Sequence, residues 1–344
     1  MRKLTLGSLF DGSGGFPLGG LLCGIRPVWA AEIEPFPICV TTKRMPFIQH
    51  LGDVSRIDGA LIEPVDIITF GSPCTDLSVA GKRAGLSGSQ SGLFHEAIRI
   101  VRQMRETTNG ANPKYIVWEN VPGAFSSNAG QDFKAVLDAI VGIVAPGTEV
   151  PAPADGKWPY ADVCLGTGCR VLSRSGRLPL RERLQIPAEP TGGGQQVCSG
   201  AVPARLRYDF TRRAPGGFNG QDASNDMLVP VRCVEEPRYA VRRLTPEECA
   251  WLQGFPDWWC ADLGTEHPSE HEIEWWQDVF ETTRRITGSG MKPKTKKQIL
   301  KWLNDPYTDA AEYKLWGNGV ALPCVVFVLF GILSESAVYL DEIA

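Results

Sequence analysis

Two short stretches carry side chains that could do covalent chemistry. Gly71-Ser72-Pro73-Cys74 follows the apolar run Val65–Phe70, so a cysteine stands just beyond a buried strand in a loop shaped by Gly and Pro. A thiolate in such a loop is exposed at the working edge of a sheet. Glu119-Asn120-Val121 ends a second apolar run, Tyr115–Trp118, and brings a carboxyl group to the same kind of strand end. A thiol beside a carboxylic acid suits an electron-poor ring: the thiol adds while the acid protonates a ring nitrogen. Taken singly, each residue has another use. A cysteine can be an inert apolar group, as expected of most of the ten here, and a strand-end carboxylate can cap the next helix.

A third stretch has the chemistry of ligand binding. The run Leu4–Phe10 ends in Asp11-Gly12-Ser13-Gly14-Gly15, which joins a first strand to a helix. Glycines there let the backbone turn tightly and approach a ligand at a helix N-terminus. Glu32 follows a second strand, where a carboxylate would accept hydrogen bonds from a ribose, and Asp53, further on, suits an amino group on an adenine. The glycine loop alone is weak, because many strand–helix turns look similar.

These residues need a scaffold, and its pattern is visible. Leu93, Ala97, Ile98, Ile100, Val101 and Met104 repeat with helical spacing, as do Phe133, Val136, Leu137, Ile140, Val141 and Val144. Strand, polar turn and helix in repetition predict an α/β fold with a parallel sheet and ligands at the strands' carboxyl ends. After Ala145 the texture changes. Pro146–Pro159 reads as a linker, and Arg170 to Arg213 holds nine arginines, no lysine and three acids. That composition predicts a separate, irregular, basic module, with a solvated loop face as the bland alternative. Thr245 and Glu248 are spaced as a capping box before a helix Glu247–Gln253, which ends at Gly254. An acidic, Trp-bearing stretch, Asp262–Glu281, and a basic one, Lys292–Lys301, read as an inserted helical pair on the surface. The chain closes with Leu315–Val320 and an apolar helix.

Composition excludes several classes. At 344 residues, 43% hydrophobic and 22% charged, the chain is neither disordered nor a coiled coil. Its net charge of −4 argues against a uniformly basic surface while leaving local patches open. The apolar run Val320–Leu333 reads as broken by Pro323, Cys324 and Gly331, so no membrane span is expected. No signal-peptide core precedes Asp11, and no C-x-x-C pair occurs, so a cytoplasmic protein without disulfides is expected. His267 and His271 lack partner cysteines, and no metal site is expected from them.

Taken in order, the motifs resemble those of the DNA (cytosine-5)-methyltransferases. Phe10–Phe16 is similar to that family's glycine-rich S-adenosylmethionine loop, Gly71–Cys74 to its Pro-Cys motif, and Ser91-Gly92-Leu93-Phe94 to its cofactor-side helix start. Trp118–Val121 resembles the Glu-Asn-Val motif, Arg243–Cys249 with Gly254-Phe255-Pro256 the pre-terminal motif, and Gly317-Asn318-Gly319-Val320 the segment that folds back onto the cofactor. The likeness covers roughly residues 3–145 and 238–335, and the ordered set is far more specific than any member.

The resemblance implies a mostly parallel sheet of the S-adenosylmethionine-dependent methyltransferase (Rossmann-like) type with a small irregular target-recognition domain. It implies a catalytic and cofactor-binding domain over 1–183, a target-recognition region over 184–238, and a returning segment over 239–344 with a helical insertion near 262–305. Cys74 would attack C6 of a flipped-out cytosine, Glu119 would protonate N3, and C5 would take the methyl group. Arg183 would serve the active site as the end of the family's arginine motif. Phe10, Asp11, Gly12, Gly14, Gly15, Glu32, Ile33, Asp53, Val54, Gly71, Pro73, Leu93, Asn318 and Val320 would hold S-adenosylmethionine, without a metal. Arg181, Arg205, Arg207, Arg212 and Arg213 would face DNA. Implied partners are double-stranded DNA and a cognate restriction endonuclease, with the protein a monomer.

One segment departs from the family. Its Gln-x-Arg-x-Arg motif is met only by Leu178-Pro179-Leu180-Arg181-Glu182-Arg183, with Pro179 in place of Gln, and Leu184–Pro190 replaces the usual apolar strand. Thr75 also replaces the usual Gln after the cysteine, and Gly319 a Ser. Two other readings therefore stand beside an active DNA methylase: a catalytically impaired DNA-binding protein of the same fold, and an RNA cytosine-5 methyltransferase.

Overall fold

The computed structural model describes residues 3–71, 91–120, 122–125, 127–148, 150–152, 158, 163–165, 169–171, 228–233, 238–288, 290 and 292–341. The chain divides into two compact units, one of Met1–Arg174 with Pro246–Ala344 and one of Ser175–Thr245.

The larger unit is built on a five-stranded parallel sheet. β1 (Thr5–Leu9), β2 (Arg26–Ala31), β3 (Gln49–His50), β4 (Ile67–Phe70) and β5 (Tyr115–Trp118) lie in the order β3-β2-β1-β4-β5. Every pairing is parallel, and the strand ends are level: Leu9 pairs with Ala31 and Phe70, and Phe70 with Trp118. The order reverses at β1, which places the ligand-accepting crevice at the carboxyl ends beside it. Both faces of the sheet are covered, as the unbroken burial of β1 and β4 requires.

One face carries α1 (Gly15–Leu22) and the terminal helix α9 (Leu322–Asp341), with Leu6 and Ile67 packed among Phe16, Val325 and Leu329. The other carries α3 (Ser91–Thr107) and α4 (Gln131–Val144), where Ile68 and Phe70 meet Phe94, Ala97, Val101, Val136 and Val141. Alternation along β4 sends Ile67 to one face and Ile68 with Phe70 toward the other.

Beside the β3 edge stand α2 (Pro35–Arg44), α5 (Pro246–Leu252), α6 (Glu270–Thr287), α7 (Lys296–Asn304) and α8 (Asp309–Gly317). The inserted pair is α6 and α7. Each opens with a complete capping box, Ser269 with Glu272 and Thr295 with Gln298, which fixes where the helices begin. They lie at the surface, with their inner faces packed inward: Ile273, Trp276, Ile299 and Leu303 are buried in one cluster with Ile38, Val40 and Met45. The charged residues read from composition cover only the outer faces.

The terminal apolar run also differs from expectation. Pro323 falls in the first turn of α9, where its missing N–H costs little, and Gly331 lies inside the helix, so the run is continuous. By length and composition Asp309–Ser334 could cross a membrane. Here Val325, Leu329 and Ile332 are buried in the cluster with Leu6, Phe16 and Ile25.

Two short antiparallel pairs complete the described strands. β6 (Val163–Leu165) pairs with β7 (Cys169–Val171) in the larger unit. In the smaller unit β8 (Leu228–Cys233) pairs with β9 (Arg238–Arg243), Leu228 opposite Arg243.

Candidate active site

Six positions singled out by sequence stand at the carboxyl ends of five neighbouring strands. Phe10 and Asp11 follow β1, Glu32 follows β2, the loop to Asp53 follows β3, Gly71 follows β4 and Glu119 follows β5. Parallel strands of matched length bring these positions to one rim.

The loop after β1 is tightly wound. Phe10 has φ 56, Gly12 φ 53 and Gly14 φ 79, so three left-handed residues turn the chain within five positions. Glycine takes that conformation freely, whereas at Phe10 it stores strain of about 1–3 kcal/mol. The Phe10 ring packs, half-buried, on the cluster that contains Val54 and Phe70 and that Leu93 also joins. Asp11 is turned inward, 3% exposed, with its N–H donating to the Ala31 carbonyl at 3.0 Å. Its Oδ1 accepts from the Ser8 hydroxyl at 2.7 Å, while Oδ2 and the Ser13 Oγ have no partner although both are buried. Burial, with some repulsion from Glu32, pushes the Asp11 carboxyl up to about 7.

Glu32 ties the loop to β2. Its Oε2 accepts from the Gly12 N–H at 2.9 Å, and Oε1 accepts from the N–H groups of Ile33 and Glu34 at 2.7 and 2.9 Å. Enclosure raises its pKa, opposed by these three donors. Asp53 caps the short turn Val54–Arg56, its Oδ1 accepting from the Ser55 N–H at 3.0 Å. The other oxygen accepts from Arg285 of α6 at 3.2 Å.

The segment after α8 returns to the glycine loop. A Cβ at Gly12 would stand 3.9 Å from the Asn318 carbonyl oxygen, and one at Gly15 would stand 3.6 Å from Val320 Cγ2. Two further residues, unmarked by the sequence reading, fix this approach. Trp259 donates its indole N–H to the Ser13 carbonyl at 2.9 Å, and Arg44 donates to the carbonyls of Trp258, Trp259 and Ala261. The sequence hint for Trp259 is its place just after Gly254-Phe255-Pro256; Arg44, at the end of α2, carries none.

On the other side of the rim, the Glu119 N–H donates to the Phe70 carbonyl at 2.9 Å, extending the β4–β5 pairing by one step. Glu119 is exposed at the end of β5, and the partial desolvation of its carboxyl group raises its pKa above the ordinary carboxylate range. A carboxyl group so placed is suited to giving a proton to a ring nitrogen. The carboxylate lies against Gly71, three residues before Cys74 in the sequence.

The structure thus brings Phe10, Val54 and Leu93 onto one apolar cluster, Glu32 against Gly12, and Asn318 and Val320 over the glycine loop. Pro73, Cys74, Arg181, Arg183, Arg205, Arg207, Arg212 and Arg213 lie outside the described residues. Among the described residues no group of three His, Cys, Asp or Glu is arranged to hold a metal.

A parallel sheet with a glycine loop and acidic side chains along its carboxyl rim defines an α/β fold of the Rossmann-like, ligand-binding type. A family model described as C-5 cytosine-specific DNA methylase matches residues 4–141. The type II methyltransferase M2.BsuMI of Bacillus subtilis (strain 168) is 33% identical over 333 residues, covering 89% of this chain and 77% of its own. M1.ScrFI, a type II methyltransferase of Lactococcus lactis subsp. cremoris, is 32% identical, covering 74% of this chain and 70% of its own. A protein named DNA N-6-adenine-methyltransferase from Escherichia phage P1 is 34% identical over 163 residues, 46% of this chain, which spans only 22% of that protein's length. The chain belongs to the C-5 cytosine-specific DNA methylase family.

Proposed function

We propose that this protein methylates C5 of cytosine in double-stranded DNA, with S-adenosylmethionine as donor and Cys74 as nucleophile. The observation that carries the reading is Glu119: a carboxyl group at the end of β5 that lies against Gly71 at the end of β4, with its pKa raised by desolvation.

The rim fits the donor. Asp11 Oδ2 and Ser13 Oγ are buried without partners, and at Gly12 the nearest atom a Cβ would meet is the Asn318 carbonyl oxygen at 3.9 Å, which leaves room for close approach. Asp11, Ser13 and the loop glycines would hold its amino-acid part, Glu32 the ribose and Asp53 the adenine amine, with Phe10, Ile33, Val54 and Leu93 supplying apolar walls. When bound, S-adenosylmethionine supplies an electrophilic methyl carbon.

The chain's own residues make the base reactive. The Cys74 thiolate adds to C6 of a cytosine flipped out of the duplex, forming a C–S bond while the displaced ring electrons move toward N3. Glu119 gives its proton to N3 and makes C5 electron-rich. Once C5 is methylated, N3 returns its proton to Glu119, and loss of the C5 proton to solvent water with expulsion of the thiolate restores the aromatic ring. Arg183 serves the active-site wall, and Arg181, Arg205, Arg207, Arg212 and Arg213 face phosphates. Monomeric protein in the cytoplasm, beside a cognate restriction endonuclease, completes the reading.

Bisulfite sequencing of DNA from cells expressing the protein tests it, with wild type and Cys74→Ala compared. Protected cytosines at one sequence context with wild type alone are expected. Tritiated methyl transfer to RNA but not DNA would instead support the RNA methylase, and binding to DNA without transfer the impaired protein.

A further inference from the structure

A cavity of about 340 Å³ opens beyond the exits of β2 and β3. Glu32, Ile33, His50 and Asp53 form one side, and Trp275 and Thr282 of the inserted helix α6 are on its lining as well. The helix is pinned to the sheet at two points. The Thr283 hydroxyl donates to the Ile33 carbonyl, and Arg285 Nη2 donates to Asp53 Oδ2 at 3.2 Å. Asp53 is only 7% exposed, and its second oxygen accepts from Ser55, so both ends of a buried carboxylate are held while each keeps a lone pair to spare.

The chemistry of this wall is selective. Burial lowers the His50 pKa to about 4, so the imidazole is neutral at pH 7 and contributes a ring rather than a charge. The Trp275 ring stands edge-on to it, with centroids 6.4 Å apart. Asp278 and Arg56 also line the cavity, and aromatic edges and aliphatic groups beside the carboxylates of Glu32 and Asp53 suit a flat, amine-bearing heterocycle joined to a polyol. That is the chemical description of a purine nucleoside.

We propose that α6 is a fixed wall of the nucleoside pocket and that Arg285 is a positioning residue, holding the Asp53 carboxylate in one orientation as the acceptor for the purine's exocyclic amine. This rests on the S-adenosylmethionine reading above, and it gives the 262–305 insertion a role in the site. Arg285 itself touches Asp53, not the ligand. Its contribution is therefore selectivity for the amine more than affinity as such.

Calorimetry on the full chain can test this with S-adenosylhomocysteine and S-inosylhomocysteine, which carries a keto group in place of the amine. Wild type should favour the adenosyl compound by about tenfold or more, the equivalent of one lost hydrogen bond. Arg285→Ala should bring that ratio several-fold closer to one, and Arg285→Lys should recover part of it. Thermal unfolding without ligand separates this from a loss of fold, since general destabilisation weakens both compounds alike and leaves the ratio unmoved. If Arg285→Ala does not fold, Arg285→Lys alone must show an intermediate ratio. An unchanged ratio in a folded variant overturns the role of Arg285 and leaves the donor reading intact. Wild type that binds neither compound overturns both.

Discussion

Glu119 lies so close to the backbone of Gly71 that a Cβ at position 71 would stand 2.7 Å from its Oε2. The contact follows from register, because the two residues come directly after Phe70 and Trp118, which pair across β4 and β5. A methyl group at position 71 must displace the carboxylate, and the strand beneath is fixed by buried Ile67, Ile68 and Phe70. Gly71→Ala should therefore reduce methyl transfer strongly while costing little stability, because the displaced group is the end of a flexible side chain. Turnover measured beside denaturant unfolding checks this, and full activity in the variant would remove Glu119's position from the mechanism.

The raised pKa of Glu119 has a consequence for the pH profile. Its neutral form persists to higher pH than that of an ordinary carboxyl group, so the acid is available over a wider range and activity falls as pH rises through the raised value. Glu119→Gln, which cannot release a proton to N3, should lose about 10²–10⁴-fold in turnover and lose that alkaline limb. A variant that keeps the wild-type profile would assign the limb to another group.

Asp11 makes a prediction about stability. Its folded pKa is raised from 3.8 to about 7, chiefly by burial. The folded state then holds a proton that the unfolded chain has lost, so stability is fully present below the ordinary value and declines as pH rises toward about 7. Asp11→Asn keeps an acceptor for Ser8 and removes the titration. Its stability relative to wild type should grow by a few kcal/mol across that window, read from denaturant unfolding at several pH values. Parallel curves would contradict the inward, solvent-shielded placement of this carboxyl group.

The arginine-rich segment predicts a salt dependence. Nine arginines occur between Arg170 and Arg213 in a chain of net charge −4. DNA affinity should fall with salt at a slope of about −0.9 per phosphate neutralised. Replacing Arg205, Arg207, Arg212 and Arg213 by Ala should flatten the slope and weaken all sequences alike. Arg183→Ala should lower methyl transfer with little change in duplex binding; unimpaired turnover would show that its match to the family's arginine motif is accidental.

The rim was legible in the sequence because its signals are local. Each apolar run ends at its polar turn, and β5 has the expected bounds, with Glu119 next to it. Helix α2 has no counterpart among the sequence expectations; its Pro35 and Pro37 both fall in the first turn, where proline is tolerated. The inner packing of α6 and α7 is not legible in the sequence. Helical spacing shows that Ile273, Trp276, Ile299 and Leu303 share apolar faces but not which partner covers them. The Arg285–Asp53 pair spans 232 positions, and nothing local in either stretch points to the other.

The central claim is that Cys74 adds to C6 of cytosine, and a mechanism-based trap tests it most directly. DNA carrying 5-fluorocytosine should be methylated and then held covalently, because fluorine at C5 cannot leave as a proton does. A denaturation-resistant protein–DNA adduct that needs S-adenosylmethionine, forms with wild type and is absent with Cys74→Ala is the predicted result. An adduct that persists in Cys74→Ala, or that disappears only when another cysteine is replaced, would contradict the account.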